Sequence, residues 1–176
     1  MCLLITAVVP NTARSDSLTE VVRRHRLNFS PCENPVVKAQ LSPSERYVCA
    51  TGSVCDCGSP LFFGRSTAGD VEKLRKKKWS EAKIKQWLKA TEARPRDPNA
   101  PGGVLLSLDD WAAFLDEALR LPGVPYLGII GHWYKGGVST DEFTLTRRVR
   151  HTVSELREGH LGLLERDVIY EFGSRP

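Results

Sequence analysis

A chain of 176 residues, 41% hydrophobic and 26% charged, has the length of one domain and the composition of an ordinary globular one, which excludes collagen-like, low-complexity and largely disordered classes. Its net charge is only +4, from 25 Lys and Arg against 21 Asp and Glu, so the chain as a whole is no polycation. No run approaches the roughly 18 apolar residues of a spanning helix, and five cysteines without a signal-peptide pattern read as free thiols in a reducing, cytoplasmic compartment.

The first predicted element is Cys2-Leu-Leu-Ile-Thr-Ala-Val-Val9, an unbroken apolar run rich in β-branched residues and stopped at Pro10. Such a run reads as a strand buried on both faces and central in its sheet. Ser17-Leu-Thr-Glu20 has the form of a capping box. Leu18, Val21, Val22 and His25 follow on one helical face, with Arg23, Arg24 and Arg26 opposite. Pro31, Pro35 and Pro43 interrupt the next stretch, which reads as an extended connection with a short helix at 36–41. Residues 46–51 form a strand ending at Gly52, and Cys55-Asp56-Cys57-Gly58 follows, so its thiols are expected just beyond a strand end.

Residues 62–69 read as loop. Two helical pieces come next, the second capped by Ser80 and carrying Ile84, Trp87, Leu88 and Thr91 on one face. The proline-rich stretch 91–103 reads as a linker. Ser107-Leu-Asp-Asp110 then caps the clearest helix, whose stripe is Leu108, Trp111, Ala112, Leu115 and Leu119, and Pro122-Gly123 closes it. Residues 124–133 read as a second buried strand. Ser139-Thr-Asp-Glu142 has the form of another capping box, ahead of Leu145, Val149, Val153 and Leu156 at helical spacing with Gly159 as C-cap, although 143–153 also alternates as a strand would. Residues 163–172 give the last strand.

This order predicts a mixed α/β (α+β) fold: one domain over 1–176, with a four-stranded sheet built from two β-α-β units and helices packed on one face. A helical insert, basic in character, occupies about 62–121. A three-layer α/β sandwich is the competing architecture.

The most pointed chemistry is Cys55-Asp56-Cys57. Two thiols one residue apart can ligate a soft metal ion such as zinc, exchange with a disulfide, or present one activated thiolate, and Gly58 frees the backbone to expose them. No metal is required by the sequence. A metal would need further ligands, for which Cys2, Cys49 and His132 are the guesses by residue type. Cys2 also carries a nucleophile, with its own amine as base once an initiator methionine is trimmed; in those two residues it resembles the start of the N-terminal-nucleophile amidotransferases. His132 closes a buried strand and can serve as acid, base or ligand. Catalytic candidates are therefore Cys55, Cys57, Cys2 and His132, and metal candidates Cys55 and Cys57.

The positive charge is concentrated between Arg65 and Arg96, where eleven Lys or Arg stand against four acids. Lys76, Lys77 and Lys83, interleaved with Trp79 and Trp87, are what a nucleic-acid or acidic-partner surface uses. A solvated surface helix has the same composition. Two functions thus remain open: a thiol site at Cys55 and Cys57, and a non-catalytic module that meets an acidic partner, nucleic acid included, through the basic segment.

Overall fold

The computed structural model describes residues 2–52, 55–62, 74–92, 106–158 and 164–173, with side chains beyond 86 in the helix ending at Glu92 left out of the description. The linker over 93–103, most of the loop at 62–69, the Gly159 cap and the side chains of Trp87, Leu88 and Thr91 lie outside the described residues.

The elements are β1 (Cys2–Pro10), α1 (Ser15–Arg24), β2 (Ser30–Pro31), α2 (Pro35–Lys38), β3 (Glu45–Cys49), α3 (Glu81–Glu92), α4 (Leu108–Leu119), β4 (Tyr126–Tyr134), β5 (Arg147–His151), α5 (Val153–Arg157) and β6 (Val168–Gly173). The fold is mixed α and β, and the strands form a six-stranded sheet in the order β2-β3-β1-β4-β6-β5. The two longest apolar runs are neighbours at its centre, β1 pairing antiparallel with β4 from Cys2↔Tyr134 to Val8↔Gly128. No helix among the described residues is long and apolar enough to cross a membrane.

The sheet corrects the expectation of four strands in two β-α-β units. β1 and β3 are antiparallel, because the proline-broken stretch after α1 adds β2 and α2 and returns the chain in the opposite direction. β4 and β6 are antiparallel as well. Among the described strands the parallel pair is β5 with β6, joined through α5. The helix expected over 145–156 is instead strand β5 followed by the short α5, and the N-cap is Thr152, in a capping box with Glu155. Arg148 and Arg150 alternate with half-buried Val149 and His151, the pattern of an edge strand whose charges discourage further pairing. The Ser139–Glu142 box caps no helix. The Ser17 box does not form either: α1 begins at Ser15 and its N-cap, Arg14, makes no side-chain cap bond. Ser107 and Asp110 do cap α4 reciprocally, and Ser80 accepts from the first turn of α3.

Strand periodicity divides β1 between two cores. Leu3, Ile5, Ala7 and Val9 face the larger one, built with Leu18, Val21 and Val22 of α1, Trp111, Phe114 and Leu115 of α4, and Val153 and Leu156 of α5. Val8 faces the smaller, with Val37, Tyr47, Ile130, Tyr134, Phe143 and Ile169. The connection from β4 to β5 runs back over this second face, where Asn34 donates to the carbonyls of Val138 and Asp141 and Gln40 bonds the backbone of Phe143 and Leu145.

Candidate metal centre

β3 is shorter than β1. It pairs with Thr6 to Pro10, and among the described residues no strand pairs with the Cys2–Ile5 half on that side. The segment after β3 fills the gap and uses side chains where a strand would use carbonyls. Ala50 donates its N–H to the Ile5 carbonyl (3.0 Å) and Asp56 to the Leu3 carbonyl (2.8 Å). In the other direction, Ile5 N–H donates to Asp56 Oδ2 (2.7 Å) and Leu3 N–H to Cys57 Sγ (3.2 Å). Thr51 Oγ1 also donates to Asp56 Oδ2 (2.8 Å). The buried backbone of β1 is thereby satisfied by the cysteine loop itself.

Asp56 is fully buried. Burial raises its pKa, against the Ile5 N–H and the Thr51 hydroxyl, which favour the charged form. Its Oδ1 has no hydrogen-bond partner among the described residues. Gly58 follows at φ 117°, a backbone that disfavours any side chain, and lets the chain turn away after Cys57. Ser59 N–H donates to the Asp56 carbonyl, and buried Leu61 and Phe62 anchor the segment to the larger core.

Fixing Asp56 between two cysteines brings three thiols together. The sulfurs of Cys2, Cys55 and Cys57 all lie within 4.8 Å of one another, with Cys57 exposed and the other two partly buried. The protons are unevenly shared. Burial works against a thiolate at Cys55, but hydrogen bonds from the Cys57 side chain and backbone and from Cys2 outweigh it and hold Cys55 below the usual thiol range. Partial desolvation of its sulfur and the hydrogen bond to Cys55 push Cys57 up. The Cys57 N–H reaches Cys55 Sγ at 3.2 Å. Two sulfurs thus accept backbone N–H bonds, which stabilise thiolate charge.

Of the three further ligands guessed from residue type, only Cys2 joins this cluster. Cys49 instead neighbours Cys32 across the β2–β3 margin, and each thiol shifts the other's pKa. His132 Nδ1 bonds Asp167 Oδ1 at 2.6 Å, and its ring stacks on Phe143, 3.8 Å between centroids and 8° from parallel. Asp167, not His132, lines the adjoining cleft of about 730 Å³, with Leu3, Phe62 and Trp133.

Comparison with protein-family models, with curated proteins and with solved structures finds no match. The functional reading therefore rests on the chain's own chemistry.

Lys76, Lys77 and Lys83 are exposed. Lys83 Nζ sits 4.3 Å from the centre of the Trp79 ring, so one face of a tryptophan interleaved with the basic residues is covered by a lysine of the same segment. Arg75 is paired with Glu81 through two hydrogen bonds.

Sequence reasoning missed two features. Asp56 was read as the spacer between cysteines, yet it is the residue that positions them. Cys32 and Cys49, seventeen positions apart, are brought together by the β2–β3 pairing, for which a two-residue strand leaves no periodic signal.

Proposed function

We propose that Cys2, Cys55 and Cys57 form a thiolate site for a soft d10 cation, zinc or copper(I). What carries the reading is that the Cys2 sulfur, more than fifty positions earlier in the chain, lies within 4.8 Å of those of Cys55 and Cys57. Contraction is small: tetrahedral zinc with Zn–S near 2.3 Å places its sulfurs about 3.8 Å apart. Thiolates select such ions over hard cations. Asp56 acts one step out from the sulfurs: it binds the β1 backbone and so holds the cysteines on either side of it in place.

Three thiolates satisfy copper(I) in a trigonal site; with zinc they leave one position for a ligand from solution. Exposed Cys57 sets the ion at the surface, where exchange with another thiolate carrier is sterically open. The reading is a metal-binding function, and the conformation of the loop is part of the site.

The test is metal content by mass spectrometry after exposure of the reduced, full-length protein to zinc or copper(I) and desalting. One equivalent per chain is expected, and Cys55→Ser should retain none. A wild-type protein that retains neither metal overturns the proposal.

A further inference from the structure

The remaining two cysteines form a second thiol site, on the opposite flank of β3 from β1. Ser30 pairs with Cys49 and Pro31 with Val48 in the β2–β3 ladder. The chain continues in register, Cys32 N–H donating to the Tyr47 carbonyl at 3.1 Å. Cys32 is therefore opposite Tyr47 and diagonal to Cys49 on the same face, a relation in which cross-strand side chains interact. Both residues belong to the smaller core, where Tyr47 donates to Thr6 and its hydroxyl lies 3.0 Å from that of Tyr134. Their accessibility differs: Cys32 is 3% exposed, whereas Cys49 is partly open.

We propose that Cys32 and Cys49 are a reactive dithiol that reduces low-molecular-weight disulfides, Cys49 attacking and Cys32 resolving. In the first step the Cys49 thiolate attacks one sulfur of RSSR, forms a mixed disulfide Cys49–S–SR, and expels RS⁻. In the second step Cys32, having given its proton to solvent or to RS⁻, attacks Cys49 Sγ and expels the second RS⁻. The protein loses two electrons and two protons, and the small disulfide becomes two RSH.

The asymmetry fits the roles. The hydrogen bond from Cys32, helped by one from Ser30 and opposed by burial, draws Cys49 below the usual thiol range. The same bond, with burial, keeps Cys32 protonated until it is needed. β2 is a two-residue strand at the edge of the sheet, so a Cys32–Cys49 bond would form at the sheet margin.

The reaction is independent of the metal site, and the experiment separates them. Wild type and a Cys2→Ser, Cys55→Ser, Cys57→Ser triple variant are equilibrated in glutathione buffers of graded redox ratio, quenched in acid, alkylated and mapped by peptide mass spectrometry. A Cys32–Cys49 cross-link in both proteins is expected, with Cys32→Ser stopping at glutathione bound to Cys49. If wild type in the most oxidising buffer keeps Cys32 and Cys49 alkylatable, or cross-links either to Cys2, Cys55 or Cys57, the proposal is overturned. Because the wild-type map alone decides this, failure of a variant to fold does not.

Discussion

Ile5 donates its backbone N–H to Asp56 Oδ2 at 2.7 Å across 51 positions of sequence, inside a fully buried pocket. This bond registers the cysteine loop against the strand that carries Cys2. Replacing Asp56 with Ala leaves the Ile5 N–H unpartnered, at a cost of about 1–3 kcal/mol. Metal affinity should fall by roughly 10–100-fold, as it does when outer-shell partners are lost. Asp56→Asn keeps an acceptor for Ile5 and Thr51 and should retain most of the affinity. Equal loss in both variants would mean that the carboxylate does not act through positioning. Chemical denaturation and chelator competition read the two effects.

Proton competition gives a second expectation. Cys57 is held above the usual thiol range, chiefly by the partial desolvation of its sulfur and then by its hydrogen bond to Cys55, so it is protonated at neutral pH and must lose that proton to bind metal. Affinity should then rise by about tenfold per pH unit for each proton displaced, between roughly pH 6 and 8. A pH-independent affinity over that interval would contradict the assignment of Cys57 as a ligand.

Phe62 closes the loop onto β4 at Gly131, where a Cβ would come within 2.5 Å of the ring. Gly131→Val should destabilise the fold by about 1–3 kcal/mol through overpacking. It should also loosen the segment that carries Cys55 and Cys57. Gly137→Ala, where the nearest atom is 3.4 Å away, is the control expected to change neither. Thermal unfolding monitored with and without metal distinguishes the two substitutions.

Away from the thiols, Arg148 of β5 makes a two-pronged pair with Glu45 of β3 (2.7 and 2.9 Å) and reaches Glu171 of β6, while Tyr126 donates to Glu45. The Glu45 side chain is fully buried. Burial alone would raise its pKa; the bonds from Arg148 and Tyr126 outweigh that and lower it. A depressed carboxylate contributes stability above the ordinary glutamate range near 4.3, and the contribution is lost as pH falls through the depressed value. Glu45→Gln should therefore cost about 2 kcal/mol at pH 7. The gap from wild type should close in acid, below about pH 4. A constant gap across that range would place the stabilisation elsewhere.

What the sequence made legible follows from how strongly local pattern constrains each element. The unbroken apolarity of Cys2–Val9 and of 124–133 required burial on two faces, and these segments are the paired centre of the sheet. Ser107 and Asp110 announced α4 because a capping box and an apolar stripe agree there. At 143–156 two periods overlapped: Val149, Val153 and Leu156 suit a helix, but alternating arginines suit an edge strand, and pairing with β6 decided for β5. Cys55 and Cys57 were visible as a motif. The place of Cys2 beside them was not, because it depends on β3 stopping at Cys49 and leaving half of β1 to be paired by a loop.

The most direct measurement of the central claim is a thiol-protection map. The reduced, full-length protein is alkylated with and without one equivalent of zinc or copper(I), and the modified cysteines are identified by peptide mass spectrometry. Cys2, Cys55 and Cys57 should become protected together at one equivalent, while Cys49 keeps its reactivity. Protection of Cys49 in their place, or unchanged alkylation of all three at saturating metal, would contradict the three-thiolate centre.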